Sequence, residues 1–338
     1  MRKKPLSQQV LVVTGASSGL GRAIARLAGE RGAKVVVAAR NADGLAGAVR
    51  EIEAAGSQAL AVEVDVARQE DVERLVAAAV ERFGRIDTFV ANAAVTVYTE
   101  AHRLEPEELR RVMDVNFYGQ VYAYWAALAH LRASRGTFVS ISSALAYRGI
   151  PLQAAYCASK AALRNFFESA RVELGRERAG VAISLVLPGA INTPQFDRDR
   201  QKTGLQPQPV APIYQPEVVA EATLRCCERP VRELAVSWGA QKLLWGQKLS
   251  PRVGDLVLAR TGWSGQTTGE PKPLGSPDIL FETLPGDPGA HGRFDELSRR
   301  SAVLTSARLR LRKGGSIAVL TAPLVAAAIG YHRVTRRG

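Results

Sequence analysis

The feature that most constrains the fold of this chain is a regular alternation between short β-branched runs and longer segments of helical period, from Val10 to about Val186. Short strands separated by helical crossovers are typical of a parallel sheet. The predicted strands are Val10–Thr14, Lys34–Ala39, Ala59–Val64, Thr88–Ala91, Gly136–Ser140, Val181–Leu187 and Glu233–Ser237. The predicted helices include Leu20–Glu30, Asp71–Phe83, Glu107–Tyr124 and Tyr156–Arg178. This order predicts an α/β fold, a Rossmann-like doubly wound parallel sheet with helices on both faces.

A chain of 338 residues is long for one domain and short for two, so we expect one α/β core with an appended segment. We place the Rossmann-like domain at residues 1–238, an irregular or helical extension at 239–305, and a basic tail with an apolar centre at 306–338. Residues 195–216 are polar and proline-rich, which predicts a surface lid. Within the extension the pattern predicts one helix, around Leu243–Ala259.

A glycine-rich turn, residues 14–21, follows the first predicted strand and opens a helix. Gly15 allows a tight turn, Gly19 lets the backbone approach a pyrophosphate, and Gly21 permits close helix packing. The helix N-terminus offers free N–H groups and a favourable dipole to phosphates. The turn therefore predicts a dinucleotide-binding domain.

The end of the second predicted strand indicates which dinucleotide is preferred. An acidic side chain there would accept hydrogen bonds from a ribose 2′-hydroxyl and repel a 2′-phosphate. Ala39 occupies that place and Arg40 follows it, so NADP(H) is favoured. The alternative is that Arg40 is only a solvated surface charge.

A third motif, Tyr156 and Lys160, is suited to proton transfer. Residues four apart share a helix face, so both side chains can address one ligand. A phenol has an ordinary pKa near 10, and a nearby ammonium favours the phenolate. Ser143 lies thirteen positions before Tyr156, just after a predicted strand.

Together these motifs resemble the short-chain dehydrogenase/reductase family over roughly residues 8–237. The matching pieces occur in family order and include Asn116 and the Pro188-Gly189 pair followed by Thr193. The resemblance implies the cofactor-binding residues Gly15, Ser17, Ser18, Gly19, Leu20, Gly21, Arg40, Asp65, Val66, Asn92, Ala93, Tyr156, Lys160, Pro188, Gly189 and Thr193. One departure is the Ala91-Asn92-Ala93-Ala94 run, in which alanine replaces the family's usual glycine.

The resemblance also implies catalytic roles for four residues. Tyr156 would act as general acid/base, and Ser143 would donate a hydrogen bond to the substrate carbonyl. Lys160 would bind the nicotinamide ribose and lower the pKa of Tyr156, and Asn116 would belong to a proton relay. Among the cofactor residues, Asp65 would meet the adenine, Asn92 would lie near the cofactor and the central sheet, and Thr193 would hold the carboxamide or pyrophosphate side.

The expected activity is that of an NADP(H)-dependent oxidoreductase that interconverts a carbonyl and an alcohol, with reduction as the favoured direction. The alternatives are a membrane-associated lipid or sterol-type dehydrogenase and a non-catalytic NADPH-binding scaffold on the same fold. An apolar small-molecule substrate is suggested by Phe196, Ile213, Tyr214, Trp238 and Trp245.

Charge and composition limit the other partners. The formal charge is +13, but residues 297–338 hold nine basic and no acidic residues, so the rest carries only +4. Nucleic-acid binding by the catalytic domain is therefore not indicated, although the tail itself could meet anionic lipid or nucleic acid. The three cysteines, Cys157, Cys226 and Cys227, match no disulfide framework, which favours a reducing cytoplasm, and no export signal is apparent. The four histidines lack metal-ligand spacing, so no metal site is expected; they are His102, His130, His291 and His332.

Two further segments are candidates for contacts with a membrane or with other protein. Residues 316–331 are uncharged and flanked by arginines, but a spanning helix needs about 20 apolar residues. This run therefore predicts either a membrane-surface or marginal transmembrane anchor, with the protein membrane-associated through it, or a helix that docks on the protein or on a partner. Aromatic residues crowd the helix after Asn116 and favour a homo-oligomer; they are Tyr118, Tyr122, Tyr124 and Trp125.

Overall fold

The computed structural model describes residues 2–302, which belong to one compact unit. The strands are β1 (Val10–Thr14), β2 (Lys34–Ala39), β3 (Ala59–Glu63), β4 (Thr88–Ala91), β5 (Val97–Tyr98), β6 (Thr137–Ile141), β7 (Ala182–Pro188), β8 (Arg200–Gln201), β9 (Leu205–Pro207), β10 (Ile213–Tyr214), β11 (Glu233–Val236), β12 (Thr267–Pro271) and β13 (Ser298–Arg299). The helices are α1 (Gly19–Glu30), α2 (Ala42–Ala54), α3 (Gln69–Phe83), α4 (Pro106–Met113), α5 (Gly119–Ser134), α6 (Ala154–Arg176), α7 (Gln195–Arg198), α8 (Pro216–Glu228), α9 (Trp238–Leu249) and α10 (Pro251–Thr261).

Seven parallel strands form the central sheet, in the order β11-β7-β6-β4-β1-β2-β3. The register pairs Val12 of β1 with Val36 of β2 and with Phe89 of β4. β1, β4 and β6 are buried throughout, as expected for strands covered on both faces. The strand order reverses between β1 and β4, which opens a crevice at the carboxyl edge of the sheet.

Helices cover both faces of this sheet. One apolar core joins it to α1, α2 and α8, and a second core joins it to α3, α5 and α6. The predicted doubly wound α/β fold is therefore confirmed.

The helix predicted at Glu107–Tyr124 differs from the structure. The chain forms α4, then a π-helical turn at Asp114–Tyr118, then α5. Single π-helical turns inside helices are frequent at functional sites, and this one carries Asn116. The hydrophobic periodicity of the sequence does not reveal this turn, because the backbone stays helical on both sides of the π-helical turn.

The single helix predicted at Leu243–Ala259 was wrong. Two helices, α9 and α10, meet at Ser250. Pro251 lacks an N–H donor and disfavours the helical conformation of the residue before it, so one helix ends and a second begins with proline in its first turn.

Residues 195–216 are more than the predicted surface lid. They contain α7 and three short strands, and β9 and β10 pair with β12 and β13 of the extension. Gln201 and Gln206 are buried there. The polar residues that suggested exposure instead satisfy backbone groups of neighbouring loops; Gln201 Nε2, for example, donates to Lys272 O at 2.9 Å.

The extension packs against the domain as far as it is described. The tail at 306–338 and the uncharged run at 316–331 lie outside the described residues. Within residues 2–302, no helix is both long and apolar enough to cross a bilayer.

Candidate active site

The glycine turn has the geometry that its sequence predicts. Gly15 and Gly19 adopt φ angles of +64° and +55°, the left-handed region that favours glycine. A Cβ on Gly15 would lie 2.8 Å from Ala93 Cα. Gly21 has an ordinary φ, but a Cβ there would lie 2.2 Å from Gly15 O and 2.6 Å from Asn92 Nδ2. The turn thus packs α1 directly against the loop after β4.

Substituting Gly21 by alanine is expected to destabilise the fold by about 1–3 kcal/mol, because the added methyl group meets backbone that cannot move aside. Chemical denaturation measures this loss. Gly175→Ala is the matched control, since a Cβ on this helical glycine would have nothing within 4 Å and should be neutral or stabilising. Equal stability of the two variants would contradict the close packing.

A cavity of about 740 Å³ runs along the carboxyl edge of the sheet, from the glycine turn to the N-terminal part of α6. All the predicted site residues line it except Gly21 and Asn116. Those that line it are Gly15, Ser17, Ser18, Gly19, Leu20, Arg40, Asp65, Val66, Asn92, Ala93, Ser143, Tyr156, Lys160, Pro188, Gly189 and Thr193. One space thus joins the predicted cofactor residues to the predicted catalytic ones.

Ser143, Tyr156 and Lys160 meet in this cavity. Ser143 follows β6, and its hydroxyl accepts a hydrogen bond from Leu145 N at 3.1 Å. Tyr156 and Lys160 lie one turn apart on α6, with Lys160 Nζ 5.4 Å from the phenol ring centre. Lys160 Nζ donates to Ile141 O at 2.9 Å, which fixes the ammonium at the end of β6.

Burial dominates the electrostatics of this group. Burial raises the pKa of the Tyr156 phenol well above its ordinary value, and the hydrogen bond with Ser143 only partly lowers it. Burial also lowers the pKa of Lys160 to about 7. The lowering of the Tyr156 pKa by Lys160 stays a prediction. At neutral pH the phenol is protonated and can donate.

Asn116 lies beside this group but does not line the cavity. Its Oδ1 accepts from Val95 N at 2.8 Å, and its Nδ2 donates to Val95 O and to Ser159 Oγ, each at 3.0 Å. Ser159 Oγ in turn donates to Tyr156 O at 2.8 Å. The side chain of Asn116 therefore ties the loop after β4 to the turn of α6 that carries Tyr156, and its part in a proton relay stays a prediction.

Asn92 also makes hydrogen bonds that hold two loops together. Its Nδ2 donates to Thr14 O at 3.0 Å and to Gly15 O at 3.2 Å. These bonds hold the loop after β4 against the glycine turn, across the point where the strand order reverses.

At the end of the cavity away from Ser143 and Tyr156, two arginines, Arg40 and Arg111, lie near Asp65. Arg111 Nη2 donates to Asp65 Oδ2 at 2.7 Å. The Arg40 guanidinium donates to Ile279 O and Phe281 O, and its pKa is lowered first by burial and then by the Arg111 charge. Two guanidinium groups thus face one carboxylate, which leaves an excess of positive charge. Arg111 has no sequence motif and was not predicted.

The carbonyls that hold Arg40 belong to residues 278–292, here called the strap. Ile279, Thr283 and Leu284 of the strap line the cavity. Leu280 is buried in the same core as Val66, and its carbonyl accepts from Arg111 Nε at 2.9 Å. The strap therefore forms an outer wall over the Arg40 end of the cavity.

An ion cluster anchors the strap to the glycine-turn helix. Arg22 of α1, with a side chain only 4% exposed, binds Asp287 at 2.6 Å and Glu51 at 2.9 Å. Gly19 N also donates to Gly289 O at 3.0 Å. Asn41 Nδ2 donates to Leu284 O at 2.6 Å. The strap has no hydrophobic period, so a sequence pattern could suggest only turns there.

The other end of the cavity is lined by apolar side chains from the loop after β6, from residues 209–212 and from α9 and α10; they include Leu145, Ile150, Val210, Leu243, Val257 and Leu258. Of the five residues suggested for a substrate pocket, only Phe196 lines the cavity. Ile213 and Tyr214 are buried in β10, and Trp238 and Trp245 are about half exposed on α9. The sequence suggested that the substrate pocket is apolar, but only the fold shows which residues line it.

The histidines and cysteines of the described residues bear on whether the chain holds a metal or a disulfide site. Residues 2–302 contain no cluster of three or more His, Cys, Asp or Glu side chains able to hold a metal. The three cysteines are all buried and form no disulfide.

Comparison with known proteins agrees with this architecture. Residues 9–204 match the family described as short chain dehydrogenase. The uncharacterized oxidoreductase YxnA of Bacillus subtilis is 38% identical over 285 residues, which cover 83% of this chain and 80% of that protein. An alignment of that extent continues well past residue 204 into the extension.

Two further relatives have more specific names. The 11-beta-hydroxysteroid dehydrogenase A of Sesamum indicum is 38% identical over 264 residues, 74% of each chain. An alcohol dehydrogenase from the archaeon Thermococcus sibiricus, solved in complex with 5-hydroxy-NADP, is 29% identical with a TM-score of 0.60 and covers 68% of this chain and 95% of its own.

Proposed function

Given that this chain belongs to the short chain dehydrogenase family, we propose that it is an NADP(H)-dependent oxidoreductase that interconverts a carbonyl and an alcohol. The observation that carries the proposal is the single cavity that joins the glycine turn to Ser143, Tyr156 and Lys160. A scaffold that only binds the dinucleotide would need the glycine turn but not Ser143, Tyr156 and Lys160.

The residues present fit a dinucleotide. The positive φ angles of Gly15 and Gly19 leave a cradle without side chains at the start of α1. Gly19 N is bound to Gly289 O, but the helix dipole and the other N–H groups of the first turn favour phosphate. Lys160 and Thr193 line the cavity further along and would hold the nicotinamide end. When bound there, NADPH supplies the hydride that reduces a carbonyl carbon.

The chain's own groups supply the proton. The buried Tyr156 phenol is protonated at neutral pH and is the acid that donates to the developing alkoxide. The Ser143 hydroxyl lies beside it and donates a hydrogen bond to the same oxygen. Lys160, with a pKa of about 7, positions the ribose and exchanges protons at neutral pH without a large free-energy cost. A protonated phenol is the form that carbonyl reduction needs, and NADPH would drive the reaction in that direction.

The preference for NADP(H) rests on Arg40 and Arg111. Their guanidinium groups outnumber the Asp65 carboxylate at the Arg40 end of the cavity. Arg40 donates two of its five N–H groups to the strap, which leaves donors for a 2′-phosphate. The NADP analogue bound by the Thermococcus sibiricus relative agrees with this preference.

Replacing Arg40 with Asp is expected to weaken NADPH binding by roughly 10- to 100-fold relative to NADH, because a charge-assisted hydrogen bond is lost and repulsion is added. The ratio of the two dissociation constants is the measurement. Arg40→Met is the matched control, since it removes the strap contacts without adding a negative charge. If both variants weaken NADPH and NADH equally, Arg40 serves only the strap.

We propose that the strap holds the cofactor in place. Its residues wall the Arg40 end of the cavity and are bound to the helix that the phosphates would meet. A dinucleotide seated against the glycine turn would thus lie between α1 and the strap, and it could leave only when the strap is displaced.

The proposed substrate is an apolar carbonyl compound or alcohol. The substrate end of the cavity is largely apolar, and its polar lining residues include Gln208, Lys242 and Thr261. Gln153 and Gln266 also line it and bind each other at 2.7 Å. The name of the Sesamum indicum relative favours a sterol-type substrate as the second candidate. NADPH oxidation measured over a panel of aliphatic, aromatic and steroid ketones tests both. No turnover with any of them, alongside tight NADPH binding, would favour a scaffold instead.

We also propose self-association through an aromatic surface on α5 and the turn before it. Tyr118, Tyr122 and Trp125 contact one another along this surface, and Tyr118 and Trp125 are exposed. Exposed, mutually packed aromatic rings are typical of protein interfaces.

A further inference from the structure

The helices α9 and α10 expose large apolar side chains to solvent. Leu249 is 80% exposed, and Val253, Leu256 and Val257 are each more than half exposed. α10 has no fully buried residue. Folding therefore gains little from these side chains. The spacing of Val253, Leu256 and Val257 places them on one face of α10, and an exposed apolar surface of this kind marks an interaction site. We call the exposed surface of residues 238–263, with its apolar and charged side chains, the apolar patch.

Tryptophan is concentrated in the apolar patch. The chain has four tryptophans, and three of them, Trp238, Trp245 and Trp263, lie in the patch. Each is between 47% and 53% exposed. Tryptophan is enriched at membrane–water interfaces because its ring combines an apolar body with a polar N–H group.

The patch is also basic. Lys242, Lys248, Arg252 and Arg260 lie within it and reach solvent. The sole acidic residue of 238–263 is Asp255, and Arg148 Nη2 binds its carboxylate at 2.5 Å. The patch therefore presents uncompensated positive charge around apolar side chains, which is typical of helices that lie in an anionic lipid interface.

A second copy of this chain fits the patch poorly. A two-fold symmetric contact would place the same surface on both sides, so each side would bring four basic residues and one acidic residue to the contact. Like charges brought together at an interface oppose association. An anionic bilayer supplies both the apolar layer and the complementary charge.

The patch surrounds the substrate end of the cavity. Lys242, Leu243, Val257 and Leu258 line the cavity on the same helices that carry the exposed residues. We propose that α9 and α10 dock on an anionic lipid surface, with the cavity mouth against it. An apolar substrate could then enter from the lipid without crossing water, a consequence that rests on the proposed function, whereas the docking does not.

The experiment uses the full chain with Trp125→Phe, so that every remaining tryptophan lies in the patch. Vesicles of phosphatidylcholine alone or with about a third phosphatidylserine are added, and brominated phosphatidylcholine serves as a quencher. We expect binding only to the anionic vesicles, with a blue-shifted emission that the bromolipid quenches. Cosedimentation gives the affinity independently of activity.

Charge and apolar variants test the patch directly. Lys248→Glu with Arg252→Glu should weaken binding roughly 30-fold or more, because each lost basic residue weakens it about fivefold and the new carboxylates add repulsion. Leu249→Ser with Leu256→Ser should abolish quenching. Leu274→Ser is the control, because this side chain is 64% exposed outside both helices.

Three results would overturn the proposal. The first is binding to anionic vesicles without quenching, which would assign the contact to another part of the chain. The second is no binding to either vesicle. The third is shielding of the tryptophans by self-association without lipid, seen as a concentration-dependent blue shift, which would assign the patch to a second copy.

Discussion

Replacing Tyr156 with Phe is expected to lower turnover by roughly 10²- to 10⁴-fold, the usual contribution of a positioned general acid. The substitution removes only the phenol oxygen from a buried ring on α6, so the helix and the cavity shape should persist. NADPH affinity should change little, because the glycine turn and the strap are untouched. Single-turnover rates and a fluorescence titration with NADPH measure the two effects separately.

Tyr98→Phe is the matched control for this variant. Tyr98 is also buried, lines the same cavity and has a pKa that burial raises. Tyr98→Phe removes a phenol oxygen from the same cavity but leaves the proposed acid, Tyr156, in place. If the two variants lose turnover equally, or if Tyr156→Phe retains the wild-type rate, proton donation by Tyr156 is wrong.

The parts of the fold that the sequence predicts well are those governed by local rules. Runs such as Val35–Val37 are buried on both faces of a parallel sheet, and such strands are apolar throughout. The glycine turn is equally local, because Gly15 and Gly19 need φ angles that other residues rarely adopt. The joint spacing of Ser143, Tyr156 and Lys160 then placed three side chains in one cavity.

The features of the site that the sequence did not predict depend on contacts between segments that are distant in the chain. Arg111 lies beside Asp65 because that carboxylate and a carbonyl of the strap both bind it, and neither is near it in sequence. The strap itself consists of turns whose position is set by Asn41 and Arg22. The lowered pKa of Lys160 likewise follows from burial, which no local pattern specifies.

Substituting Asp287 by Asn is expected to speed NADPH release by roughly 10- to 100-fold. The Arg22–Asp287 contact is a charge-assisted hydrogen bond at 2.6 Å with a nearly buried arginine, and such bonds contribute about 1.5–3 kcal/mol. Arg22 lowers the pKa of Asp287, so the carboxylate is ionised at neutral pH and the variant removes a full charge. Arg22 keeps Glu51, which limits the damage to the fold.

Stopped-flow displacement of NADPH measures the release rate, and hydrogen exchange over residues 278–292 measures strap opening. The two should rise together, because a dinucleotide lying between α1 and the strap can leave only through the opened state. Glu282→Gln is the matched control, since it removes an exposed carboxylate from the same strap away from Arg22. Faster exchange in the strap with unchanged NADPH release would show that the strap does not hold the cofactor, even if the oxidoreductase activity is confirmed.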